Sequence, residues 1–178
     1  MISVSDNTAA DLLLKSVERA GVEARLGQTD MPSTREFFVL KNPANIELLR
    51  AYRSVGLDRA ARKEVLKQAD AAPLSNAMVF VQGLTIATDV EWFVSAQGLC
   101  RLMAELPETW QNPGVADPAD FPSVSFKGGS EPGVLNLTNQ LTSKVGKMWC
   151  VSATRNRPEP LDEQMFIAMY AGMLKLPH

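Results

Sequence analysis

The chain has 178 residues, 46% hydrophobic and 21% charged, with 18 basic against 20 acidic side chains for a net charge of −2. That length fits one domain burying roughly 70% of its unfolded surface, and the charge balance excludes the electrostatic footprint of a nucleic-acid or anionic-membrane binder. No apolar run reaches the ~18 residues of a membrane span, the opening MISVSDNTAAD has neither the basic nor the apolar part of an export signal, and a lone histidine, His178, excludes histidine-base chemistry and histidine-rich metal sites. No metal or cofactor is expected.

In chain order, NTAADLLLKSVERAG (7–21) reads as a helix, with Thr8 and Asp11 as a capping box, Leu12, Leu13, Val17 and Ala20 at helical spacing, and Gly21 as its stop. The polar stretch LGQTDMPSTREFFVLKN (26–42) reads as a loop. NIELLRAYRSV (45–55) and LDRAARKEVLKQADAA (57–72) follow as helices with acidic starts. TDVEWFVSAQGLCRLMAEL (88–106) predicts another, with Ser95 as N-cap and Leu99, Leu102, Met103 and Leu106 as its buried stripe. A proline-rich loop (106–122) ends it. SVSFKGGSEPGVLNLTNQLT (123–142) and KMWCVSATRN (147–156) alternate at period two and predict antiparallel strands turning around Ser143 to Gly146. Last, LDEQMFIAMYAGMLKL (161–176) carries Met165, Met169 and Met173 on one line and Phe166, Tyr170 and Leu174 on the next; both lines are expected in the core, covering the sheet. Cys100 and Cys150 lie in apolar surroundings without metal-type spacing and read as buried free thiols rather than a disulfide.

Within the first strand region, Lys127 directly precedes Gly128 and Gly129. A glycine pair lets the backbone approach a ligand, and the lysine suits an anion or a developing negative charge; the same pair also suits a plain hairpin or bulge. Near the amino terminus, Ser5-Asp6-Asn7 opens the first helix. It suits either a capping loop or a polar site.

Taken together these motifs resemble a known family. Ser5-Asp6-Asn7 before a small-residue helix start is similar to the Ser-Asp-Asn loop of class A β-lactamases and penicillin-recognising serine hydrolases, and Lys127-Gly128-Gly129 to their Lys-Thr/Ser-Gly strand. The resemblance covers the whole chain and is greatest to the divergent branch that includes proteins encoded in clavulanic acid gene clusters. It implies an α/β fold of the α+β type, β-lactamase/transpeptidase-like, with an antiparallel sheet of about three strands covered by the terminal helix. Residues 1–178 would form one incomplete domain, helical over 1–106 and strands plus helix over 123–178, with the amino-terminal strands and nucleophile helix missing. The compartment is not fixed, although such proteins are often exported.

The implied activity is hydrolysis of a small β-lactam amide or related ester through an acyl-enzyme. Ser5 would relay a proton to the leaving nitrogen, Lys127 would supply the positive field, Asn7 would bond the substrate's side-chain amide, and the N–H of Ser130, beyond Gly128 and Gly129, would give half an oxyanion hole. Three departures stand against this pattern. No serine has a lysine three positions on, so the family's nucleophile is absent. Gly128 replaces the hydroxyl residue that would bond a β-lactam carboxylate. The water-holding loop offers Glu36 alone, which equally suits a loop carboxylate or a helix N-terminal charge. A hydrolase and a non-catalytic binding module of the same fold are therefore the two readings. Loss of a neighbouring strand would leave the 147–156 edge open to self-association.

Overall fold

A computed structural model describes residues 2–73, 83–106, 112 and 114–176. Residues 107–111 and 113 of the proline-rich loop and His178 lie outside the described residues. The chain divides into two compact units, Met1–Phe93 and Val94–His178. The fold is of the α+β class, with a three-stranded antiparallel sheet and a carboxy-terminal helix.

The first unit is helical: α1 (Asn7–Val17), α2 (Arg19–Leu26), α3 (Thr34–Lys41), α4 (Ile46–Ser54) and α5 (Arg59–Ala71). Its core gathers Val39, Leu40, Leu49, Tyr52, Val65, Leu66 and Ala69. The first helix departs from its sequence reading. Asp6 rather than Thr8 is its N-cap, accepting the Ala9 N–H at 2.9 Å, and Glu18, at φ 59°, breaks it before Gly21. Asp11 is drawn off to cap α3, accepting the N–H groups of Thr34 and Arg35 at 2.7 and 2.8 Å. Leu12, Leu13 and Val17 are exposed.

The segment read as a loop at 26–42 contains α3. A full capping box starts it: Ser33 Oγ accepts the Glu36 N–H, and Glu36 Oε2 accepts the Ser33 N–H at 2.6 Å. The signature Ser33-Thr34-Arg35-Glu36 stands in the sequence at capping-box spacing, inside a polar, proline-containing stretch that favours the loop reading.

In the second unit, α6 (Ala96–Ala104) is capped by Ser95, whose Oγ accepts the Gly98 N–H at 3.0 Å, as expected. It is shorter than 88–106, since Thr88–Val90 is a single 3-10 turn. Met103 is its buried residue. Strands β1 (Ser123–Glu131), β2 (Val134–Thr142) and β3 (Met148–Asn156) lie in the order β1-β2-β3. One face is apolar. Val124, Leu135, Leu137 and Leu141 pack there with Tyr170 and Leu174 of α7 (Glu163–Leu174). α6 packs against β2 and β3 from the other face, where Cys150 points.

Two expectations fail here. Cys100 and Cys150 are not free thiols: they form a disulfide between α6 and β3, with Cα atoms 5.7 Å apart. A separation of 50 residues carries no local signal for such a pairing, which exists only once α6 lies on the sheet. The methionine line of α7 is not core either. Met165, Met169 and Met173 are 45, 62 and 44% exposed, and the neighbouring line of Phe166, Tyr170 and Leu174 packs on the sheet together with Ile167. Both lines are equally apolar, so the pattern could not say which one the sheet would cover.

The disulfide generates a prediction. Closing a loop of this length stabilises the folded state by ~4 kcal/mol through the unfolded chain. Replacing both Cys100 and Cys150 by serine should lower the unfolding midpoint in urea and remove its sensitivity to dithiothreitol. Equal midpoints for the parent with and without reductant would contradict it.

Candidate functional site

Pairing of Glu131 with Val134 leaves a two-residue hairpin loop, Pro132-Gly133, with Gly133 at φ 85° as the second turn position demands. The turn therefore lies beyond Gly128 and Gly129, which continue β1 in register opposite Leu137 and Asn136. In a two-residue hairpin the flanking pair is hydrogen-bonded, and alternate residues back along the strand turn their N–H and C=O away from the partner. Glu131, Gly129 and Lys127 thus bond to β2, while Ser130, Gly128, Phe126 and Val124 present their backbone groups at the outer edge. The Asn112 N–H donating to the Val124 carbonyl at 3.0 Å agrees with this phase.

Lys127 stands on the polar face, in one row with Thr138 and Ser152. Its ammonium turns to the strand edge and donates to the Gly128 carbonyl at 2.5 Å. Burial holds the Lys127 pKa below the usual lysine range. No carboxylate among the described residues pairs with it. Beside it runs a chain of short polar side chains. Thr138 Oγ1 donates to Asn136 Oδ1 at 3.1 Å, so the 2.8 Å contact between Thr138 and Ser152 has Ser152 as donor. Asn136 Nδ2 passes on to Thr154 Oγ1 at 2.8 Å. Sequence reasoning missed this row, yet the hairpin loop plus period-two alternation places 127, 138 and 152 together.

Gly128 has a steric reason to be glycine. A Cβ there would stand 2.7 Å from Phe126 Cζ and 3.1 Å from the Asn136 carbonyl oxygen. A hydroxyl residue at this position is excluded while Phe126 keeps its place. Gly129 meets nothing within 4 Å and leaves the strand open on its own side. Ser130 Oγ donates to Glu163 Oε1 at 2.5 Å, tying the end of β1 to the start of α7, and its backbone N–H points outward.

The remaining candidates, Ser5, Asn7 and Glu36, belong to the first unit, whereas 127–130 belong to the second. Ser5 lies in the turn before α1 in the left-handed region at φ 50°, a conformation that costs a non-glycine residue on the order of 1 kcal/mol. Asn7, first residue of α1, is exposed, and Asp6 is engaged as the cap. Glu36 is buried, with both carboxylate oxygens 2.8 Å from Arg19 Nη2 and one also held by the Ser33 N–H. Chemically, the strand edge offers a partly desolvated cation and two outward N–H groups. Compared with protein-family models the chain matches none, and no curated protein matches it at a significant level.

Two expected outcomes follow. Gly128→Ala should cost about 1–3 kcal/mol through overpacking against Phe126, and markedly less in a Phe126→Leu background, read by a double-mutant cycle in urea; additive effects would contradict the contact. The lysine pKa is lower in the folded chain than its usual 10.5, so the unfolded state holds the proton more tightly and the charged amine destabilises at neutral pH. Lys127→Met should therefore raise the melting temperature at pH 7. That gain should shrink as the pH climbs toward 10.5.

Proposed function

We propose that the chain carries the anion-holding part of an acyl-transfer site of the β-lactamase type, for small amide or ester substrates. The observation that supports this most is Lys127, a half-buried ammonium without a carboxylate partner among the described residues, beside glycines on a strand edge with outward N–H groups. Structural lysines in the same chain are different: Lys41, 1% exposed, pairs with Glu91. Burying a charge without a counter-ion is costly and is repaid when an anion arrives.

In this reading Lys127 draws the anionic substrate, and the Ser130 N–H donates to the developing oxyanion. Ser5 and Asn7, to which the resemblance gives the proton relay and the side-chain amide contact, lie in the other unit and are given no part at this edge. Glu36, engaged by Arg19 and Ser33, is given no part in the reaction. The serine whose Oγ would form the acyl bond as the amide C–N bond breaks has no Ser-x-x-Lys counterpart in these 178 residues. A second reading, a binding module that does no turnover, is favoured by that same observation.

Benzylpenicillin should bind the chain saturably in calorimetry, and Lys127→Ala should weaken it about tenfold or more, as loss of a charge-assisted contact does. Nitrocefin should not be turned over, since loss of the nucleophile costs such machinery on the order of 10⁶. Absent binding, or binding indifferent to Lys127, would overturn the proposal. A stable acyl adduct in the intact mass would overturn the assignment of the nucleophile to a Ser-x-x-Lys motif.

A further inference from the structure

A separate cleft of about 540 Å³ opens within the second unit. Its floor is aromatic: Phe121 and Trp149 meet edge to face, ring centroids 5.8 Å apart and planes at 73°, with the buried side chain of Leu174 beside them. Trp149 is held there by the sheet register, opposite Leu141 on the apolar face. The rim is charged. Asp117 and Asp120 lie on one turn, in which the Asp120 N–H donates to the Asp117 carbonyl at 3.0 Å and Asp117 Oδ1 accepts the Ala119 N–H at 2.9 Å. Both side chains are exposed. The last carbonyls of α7 end at the same cleft, where Lys175 caps the helix and lines the wall.

Volume, floor and rim each narrow the ligand. The cleft is open to solvent and suits a small molecule lying against its floor. Two carboxylates against one ammonium leave the rim net negative, and a helix carboxy terminus adds a partial negative charge. Aromatic faces favour a cation over them by about 0.5–1 kcal/mol when exposed and more when desolvated. We propose that this cleft binds an organic cation, a protonated primary amine on an apolar or aromatic body. The body lies against Phe121, Trp149 and Leu174, and the ammonium takes the carboxylates of Asp117 and Asp120. Lys175 opposes the same charge and sets a ceiling on affinity.

The opposite signs of the two rim contributions make the test sharp. Phenethylamine titrated into the full chain should bind one to one, observed at the Trp149 indole resonance, and more tightly than 2-phenylethanol or 3-phenylpropionate of the same shape. Asp117→Asn with Asp120→Asn, which keeps the turn acceptors, should weaken the amine about tenfold or more, and exposed Lys175→Ala should strengthen it severalfold. Binding of the amine should also survive Lys127→Ala, which separates this cleft from the strand edge. No saturable binding, equal binding of alcohol and amine, or an amine affinity unmoved by both rim variants would overturn the proposal.

Discussion

Two residues, Pro132 and Gly133, decide what the sheet presents. Because they make the loop between β1 and β2 two residues long, Glu131 must face Val134, and every pair back to Ser123 and Thr142 is then fixed. A slip of β1 by one residue against β2 would carry Val124 to the polar face and bring Lys127 among Leu135, Leu137 and Leu141. The apolar face resists that slip, since each of its side chains Val124, Leu135, Leu137 and Leu141 is almost wholly buried and stabilises the register by about 1.5–3 kcal/mol. Strand phase also turns the N–H groups of Gly128 and Ser130 outward. Packing on one face thus sets both the charge on the other face and the hydrogen-bonding groups on the edge.

The two units handle buried polarity differently. In the first, acids brace the chain: Asp11 caps α3, Glu23 Oε1 accepts the Met31 N–H at 3.0 Å, and Glu36 joins Arg19 to the capping box. Together they hold the turn at 30–36, which a sequence rich in polar and proline residues would otherwise leave loose. In the sheet, neutral hydroxyls and amides satisfy each other from Ser152 to Thr154, and none of them neutralises Lys127. Buried Asn139 on the apolar face is satisfied too, its Oδ1 accepting from Tyr170 Oη at 3.1 Å, and burial pushes the Tyr170 phenol above its ordinary pKa. Against that background Lys127, whose ammonium meets only the Gly128 carbonyl among the described residues, departs from the paired hydroxyls and amides of its row.

Elements with strong local signals were legible. The Ser95 cap, the 45–55 and 57–72 helices and the period-two strands needed only nearest neighbours in sequence, and each is present with shifted ends. Where the outcome depended on tertiary contact, local pattern failed. Asp11 matches a capping box with Thr8 but serves α3 instead, and Cys100 meets Cys150 only after α6 has docked. The two apolar lines of α7 are separated by a single residue step, and only packing against the sheet's side chains chooses between them. Of the candidate site, Lys127 and its glycines were visible, while the Thr138, Asn136 and Ser152 row required a register that a two-residue loop supplies.

The steric reading of Gly128 bears on what the strand edge can recognise. Families that carry a hydroxyl there hold a carboxylate with a directed hydrogen bond, sensitive to angle and distance. Here Phe126 occupies the space, and its ring also lies against Gly114, where a Cβ would come within 2.2 Å of it. The ring is therefore wedged between two glycines and cannot yield without repacking the loop before β1. The proposed anion recognition at this edge would then rest on the Lys127 charge and backbone N–H groups. A point charge is undirected and screened by salt, while main-chain donors accept any oxygen placed along the strand. On the proposed reading, such an edge would select for charge and an extended shape more than for the geometry of one carboxylate.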